Sequence, residues 1–137
     1  MAFKKTILIG MLAGDKVGIT EEGGFFVSLI NKTGVNSVKG SVVRISATQN
    51  AFELNPTSGT LWFGVVYESG IADGSLCRVV IRGIAEALLE DSTASAAQNV
   101  IAPSATTAGR FDCSGAGPGN CLETKSSGTN VLCKVLI

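Results

Sequence analysis

The sequence predicts a single all-β domain. Its 137 residues are enough for one hydrophobic core and few for two. Seventeen glycines, together with many Ser and Thr residues, separate short apolar runs at frequent intervals. None of these runs has the length and period of an amphipathic helix. We therefore divide the chain into an N-terminal arm or set of peripheral strands, residues 1–24, and a β domain, residues 25–137.

Six runs rich in β-branched and aromatic residues are predicted strands. They cover residues 25–31, 38–48, 61–68, 76–89, 98–101 and 131–137, and two shorter strands are expected near Phe52 and Leu122. Among the turns between them, Asp73-Gly74 is the strongest hairpin signal. Residues 84–91 include good helix formers, but the segment is short and follows a strand-like run. A strand with a break at Gly83 is therefore favoured there.

The N-terminal segment has two competing interpretations. Lys4 and Lys5 precede an apolar run, residues 7–13, in the manner of a secretory signal peptide. The run is short, is interrupted by Gly10 and lacks a clean cleavage site, so a structured or partner-docked arm is favoured. No later segment approaches the roughly 18 apolar residues of a membrane span.

Charge and histidine content exclude several classes of function. Eleven Lys and Arg residues balance eleven Asp and Glu residues, so no net field attracts nucleic acid or an anionic membrane surface. The chain has no histidine, which removes the commonest general base and the commonest zinc ligand. We expect no enzyme activity, no catalytic residue, no cofactor and no metal site.

The four cysteines lack the spacing of a zinc or thioredoxin-like site. Cys77 alternates with the flanking arginines of its strand and is predicted to face the core, as is Cys133. Cys113 and Cys121 flank a Gly-Pro loop that a disulfide would close in an oxidising environment. The sequence leaves free thiols and a disulfide open, and the missing base argues against a catalytic cysteine.

Carboxylates and aromatic residues supply the remaining candidate sites. The adjacent pairs Glu21-Glu22 and Glu90-Asp91 are predicted to be solvated loop charges. The chain has two pairs of adjacent aromatic residues, Phe25-Phe26 and Trp62-Phe63. Adjacent rings on a strand point to opposite faces, so one ring of each pair is available for an interface. The residues predicted to form a protein interface are Phe3, Ile7, Leu8, Ile9, Phe25, Phe26 and Trp62.

Several phrases of the sequence point to one family. They are LINKTG at 29–34, SVKGSVV at 37–43, GVVYE at 64–68, GIADG at 70–74, the run 79–89, PSAT at 103–106, AGR at 108–110, CLE at 121–123, GT at 128–129 and VLCKVL at 131–136. From about residue 26 to its end, the chain resembles the capsid decoration, or cement, proteins of tailed bacteriophages. Residues 1–25 carry no such resemblance.

The resemblance implies a compact β-barrel or β-tulip, usually trimeric, on the outer surface of the capsid. The implied partners are the major capsid protein and further copies of the chain, in a virion assembled in the host bacterial cytoplasm. One alternative is another virion component, such as a tail or head-fibre base. A second is a carbohydrate-binding module in which Trp62, Tyr67 and the Phe25-Phe26 pair stack on sugars.

Overall fold

The computed structural model describes residues 16–113 and 119–137, which form ten strands and no helix. In chain order the strands are β1 Val17–Ile19, β2 Gly24–Asn31, β3 Val42–Ile45, β4 Ala51–Leu54, β5 Trp62–Val66, β6 Leu76–Leu88, β7 Val100–Pro103, β8 Phe111–Asp112, β9 Gly119–Cys121 and β10 Leu132–Leu136. The predicted all-β class is confirmed. Residues 84–88 belong to β6, so the preference for strand over helix there is also confirmed.

Five strands close into a barrel in the order β2-β4-β3-β5-β6, and the pairing of β6 with β2 completes the ring. The β2–β4 contact is parallel, whereas the other four are antiparallel. β6 occupies one edge of β2 from Gly24 to Ile30. The other edge is shared by β1, opposite residues 25–27, and by β4, opposite residues 30–31.

Two hydrophobic cores result. The barrel core contains Val43, Phe52, Val66, Cys77 and Val79. The outer core lies between the outside of the barrel and a second sheet, β6-β10-β9-β7, to which β8 adds at the β7 edge. Because neighbouring residues on a strand point to opposite faces, Val42 and Val43 enter different cores. The predicted burial of Cys77 and of Cys133 is confirmed.

Gly83 marks the point where β6 changes partners. Residues before it pair with β2 in the barrel, and residues 84–88 pair with β10 in the second sheet. Gly83 has a φ of +82°, and a Cβ atom there would lie 2.5 Å from the carbonyl oxygen of Gly23. The predicted break is therefore a left-handed residue within a continuous strand of 13 residues.

Some predicted boundaries are wrong. The strand predicted at 38–48 is limited to β3, because residues 38–41 form a turn. In this turn the N–H of Ser41 donates to the carbonyl of Val38, and Gly40 has a φ of +90°. Asp73-Gly74 lies in a longer connection, residues 67–75, instead of a tight hairpin. β1, of three residues, lies in the segment predicted as an N-terminal arm or peripheral strands, whereas β8, of two residues, was not predicted.

Candidate docking surface

A row of exposed side chains crosses three strands at one end of the barrel. Ile19 of β1 pairs with Phe25 of β2, and Phe25 pairs in turn with Arg82 of β6. Residues directly opposite one another on neighbouring strands project from the same face of a sheet. Ile19 is 51% exposed, Phe25 is 41% exposed, and Arg82 is also exposed. The row therefore presents two apolar side chains and one guanidinium.

Arg82 also lines an open groove of about 430 Å³. The groove's other walls are the partly buried side chains of Trp62, Phe63, Ile81 and Ile137. Backbone hydrogen bonds between Gly83 and Ile137, of 3.0 and 3.3 Å, place Ile137 beside β6. The groove and the row share Arg82, and together they form what we call the docking surface.

The aromatic wall of the groove is anchored in both cores. The Trp62 ring packs edge-on against Phe111, with ring centroids 4.9 Å apart and an interplanar angle of 77°. Phe111 is fully buried in the outer core. Phe63, the next residue, packs against the barrel core. The two rings are thus held from opposite faces of β5, and such fixed aromatic side chains bind with little loss of conformational entropy.

Arg82 supplies the charge of the docking surface. Within the described parts of the chain, no carboxylate lies at ion-pair distance from its guanidinium. A guanidinium beside apolar walls suits a partner that offers a carboxylate or carbonyl next to an apolar side chain. Arg82 was predicted on the face of its strand opposite Cys77, but its alignment with Phe25 depends on the pairing of β2 with β6, which the sequence does not reveal.

Phe26 and Tyr67 lie away from the docking surface. Phe26 is only 7% exposed; it lies against Gly18, and the Arg78 guanidinium is 5.6 Å from its ring centre. Arg78 also lies 5.2 Å from the centre of the Tyr67 ring, and the Tyr67 hydroxyl donates to Glu22 Oε2 at 3.2 Å. Burial and the Glu22 carboxylate raise the pKa of Tyr67.

The predicted interface residues are thus only partly brought together. Phe25 and Trp62 both belong to the docking surface, whereas Phe26 is in the interior, as expected for one ring of an adjacent pair. Phe3, Ile7, Leu8 and Ile9 lie outside the described residues. Five residues of the docking surface were not predicted, because their proximity depends on strand register: Ile19, Phe63, Ile81, Arg82 and Ile137.

The prediction of solvated loop charge is wrong for Glu90. Glu90 is only 9% exposed, and its carboxylate accepts hydrogen bonds from Ser104 Oγ at 2.6 Å and Thr107 Oγ1 at 3.1 Å. The Ser104 hydrogen bond is the main reason that the pKa of Glu90 is lowered, and the Arg110 charge contributes. Asp91, by contrast, is exposed and pairs with Arg110 at 2.6 Å.

The cysteine environments disfavour thiolates. Burial raises the pKa of Cys77 to about 11 and that of Cys121 to about 12, and it also raises those of Cys113 and Cys133. Thiolates are the nucleophilic and metal-binding form of cysteine. Across residues 16–113 and 119–137, no three Cys, Asp or Glu side chains are placed to hold a metal ion.

No family model matches the chain, and no curated protein matches it. In the described segments, no helix is long and apolar enough to cross a membrane.

Proposed function

We propose that this chain is a structural virion protein that binds the outer surface of a phage capsid and stabilises the contacts between major capsid subunits. The observation that carries the proposal is the docking surface, where exposed and partly buried apolar side chains lie beside the Arg82 guanidinium on a closed barrel. Protein interfaces are enriched in aromatic residues and Arg, and their energy is concentrated in a few anchored side chains. The resemblance to decoration proteins supplies the identity of the partner.

The rigidity of the barrel supports a cementing role. β2 and β6 pair along almost all of β2, and the Trp62 ring is fixed against Phe111. A preorganised surface loses little conformational entropy on binding, so more of the contact energy reaches the complex. A protein that binds only assembled subunits shifts the assembly equilibrium towards the closed capsid by mass action. A homotrimer would present three copies of the docking surface and could therefore bind several capsid subunits at once.

Light scattering and co-sedimentation test this proposal. We expect the purified chain to be a trimer and to saturate capsids from which the decoration protein is missing. Phe25→Ser should weaken capsid binding about tenfold or more, because an anchoring aromatic residue is removed. Arg82→Ser should weaken it as well. Both side chains are exposed, so neither change should alter folding.

Val35→Ser is the matched control. Val35 is also exposed, but its carbonyl is bound by Asn31 at the far end of β2 from Phe25. The Val35→Ser substitution should leave capsid binding unchanged. A monomer that does not sediment with capsids would overturn the proposal. Binding to tails or head-fibre bases, without binding to capsids, would instead assign the chain to the other virion role.

A carbohydrate-binding module is the second candidate, and the groove favours it. Trp62 and Phe63 offer aromatic walls beside Arg82, a combination that suits an acidic sugar. Lys39 and Arg78 lie over the Tyr67 ring, and Phe26 is buried. Of the four rings expected to stack on sugars, only Phe25 and Trp62 therefore remain available. Glycan binding by the isolated chain that Trp62→Ala abolishes would favour this function over capsid docking.

A further inference from the structure

Three buried thiols meet in the outer core. Cys113 directly follows β8, Cys121 ends β9, and Cys133 lies in β10. Each is at most 1% exposed. β8 and β9 flank opposite edges of β7, and Val135 of β10 is the register partner of Cys121. The sheet therefore brings together cysteines that are 8 to 20 positions apart in the sequence.

Cys113 and Cys121 form the close pair within this group. Their Sγ atoms are 2.7 Å apart. Unbonded carbon atoms pack at about 3.5–4.0 Å, and sulfur is larger than carbon. The two side chains therefore point at one another at a separation that thiols do not favour. Closing this contact to a covalent bond requires a movement of less than the width of one atom.

The Cys133 thiol interacts with Cys121 as well, but its own hydrogen bonds go to other groups. Its thiol lies 3.4 Å from Ser95 Oγ and 3.4 Å from the carbonyl of Lys134, and it can donate to either. Its backbone is fixed by the β6–β10 pairing, with Ala87 opposite. This thiol is held by hydrogen bonds, whereas the nearest polar partner of Cys113 Sγ is the sulfur of Cys121.

We propose that Cys113 and Cys121 are a modification site, forming an intramolecular disulfide when the folding chain meets a small-molecule disulfide such as oxidised glutathione. One cysteine thiolate attacks the oxidant, forming a mixed disulfide and releasing one glutathione thiolate. The second cysteine thiolate then attacks the protein sulfur and releases the second glutathione. Two cysteine protons are lost to solvent and reappear on the two glutathione thiols, and the two electrons reduce the oxidant.

The disulfide closes a covalent ring of residues 113–121 and restricts the unfolded chain. Loop-closure entropy predicts a rise in melting temperature on the order of 5–10 °C for a ring of this size in a domain of this length. Because both sulfurs are buried, the bond once formed is expected to resist external reductants until the outer core opens.

Peptide mapping of the whole chain tests the proposal. The chain is refolded from guanidinium chloride in a glutathione redox buffer, so that burial does not block oxidation. It is then denatured and alkylated without reduction, and digested with trypsin. Cleavage after Arg110 and Lys125 places Cys113 and Cys121 together in peptide 111–125, while Cys133 falls in peptide 126–134 and Cys77 in peptide 45–78. We expect 111–125 to be unalkylated and lighter by two hydrogen atoms, with the other two peptides alkylated.

Two serine variants make the assignment specific. In Cys133→Ser, peptide 111–125 should still be unalkylated and lighter by two hydrogen atoms, and the gain in melting temperature should remain. In Cys121→Ser, the remaining cysteine of this peptide should be alkylated and the gain in melting temperature should be lost. Two alkyl groups on peptide 111–125 after refolding would overturn the proposal. So would a disulfide that links this peptide to 126–134, since Cys133 would then have paired with Cys113 or Cys121.

Discussion

The side-chain amide of Asn31 donates a hydrogen bond of 2.9 Å to the carbonyl oxygen of Ile71, 40 positions later in the chain. The same nitrogen donates to Val35 at 2.9 Å, and the amide oxygen accepts from the backbone and hydroxyl of Thr33. Asn31 is completely buried. One side chain at the end of β2 thus connects the loop that follows it with the long connection between β5 and β6.

Asn31→Ala should lower the free energy of unfolding by about 2–4 kcal/mol, because it removes the four hydrogen bonds that this completely buried amide makes with Thr33, Val35 and Ile71. Urea denaturation monitored by Trp62 fluorescence would measure the change. Asn36→Ala is the control, since Asn36 is exposed in the same loop and should lie within about 0.5 kcal/mol of the wild type. Equal effects of the two substitutions would contradict a special role for the buried amide.

Gly83→Ala should destabilise the chain by about 3 kcal/mol. The residue is left-handed, and a Cβ atom would lie 2.5 Å from the Gly23 carbonyl oxygen, so the junction between β6 and β2 must open. Gly70→Ala separates the two causes, because Gly70 has a φ of +87° but no atom within 4 Å of its Cβ position. It should cost about 1 kcal/mol. If thermal unfolding showed the same loss of stability in both variants, the contact between the added Cβ atom and the Gly23 carbonyl oxygen would not contribute to the effect of Gly83→Ala.

Strand positions could largely be predicted from the sequence because alternation is a local property. The faces of Phe25 and Phe26, and of Cys77 and Val79, follow from a period of two and are confirmed. The two-residue β8 was missed because so short a strand has no readable period. The helix formers of residues 84–88 are in a strand because pairing with β10 buries Ala85 and Ala87, which outweighs helix propensity.

The docking surface could be predicted only in part, because it depends on pairing between distant segments. Phe25 and Trp62 were found from their residue type, but Arg82 joins them only through the register of β2 and β6, which includes a shift between Phe25 and Phe26. A one-residue slip would place Arg82 on the other face. Glu90 was misjudged for a similar reason, since the hydroxyl that covers it comes from Ser104, 14 positions away.

Glu90 should make the protein less stable in acid. Its folded pKa is lowered from the ordinary value of 4.5, chiefly by the Ser104 hydroxyl, so the unfolded chain binds the proton more tightly than the folded one. The stabilisation is fully present above about pH 4.5 and is lost as the pH falls through the folded pKa. Urea midpoints at pH 3 to 7 should therefore depend less on pH in Glu90→Gln than in the wild type.

Glu68 provides the comparison for this pH effect. Its pKa is also lowered, chiefly by the Arg78 hydrogen bonds, so Glu90→Gln should retain part of the acid sensitivity. Ser104→Ala removes the largest cause of the Glu90 shift and should weaken the acid dependence in the same direction. An unchanged pH profile in both variants would show that the Glu90 carboxylate does not contribute to acid stability.

Cys77 should be almost inert in the folded protein. Burial raises the pKa of its thiol to about 11, so at pH 8 only about one molecule in a thousand carries the reactive thiolate. Iodoacetamide should label peptide 45–78 at least a hundredfold more slowly in the native chain than in guanidinium chloride. The unfolded chain is the control for intrinsic reactivity. Rapid labelling of Cys77 in the native chain, with peptide 126–134 unmodified, would mean that the barrel opens locally beside β6. The barrel core would then be less rigid than a cementing role requires.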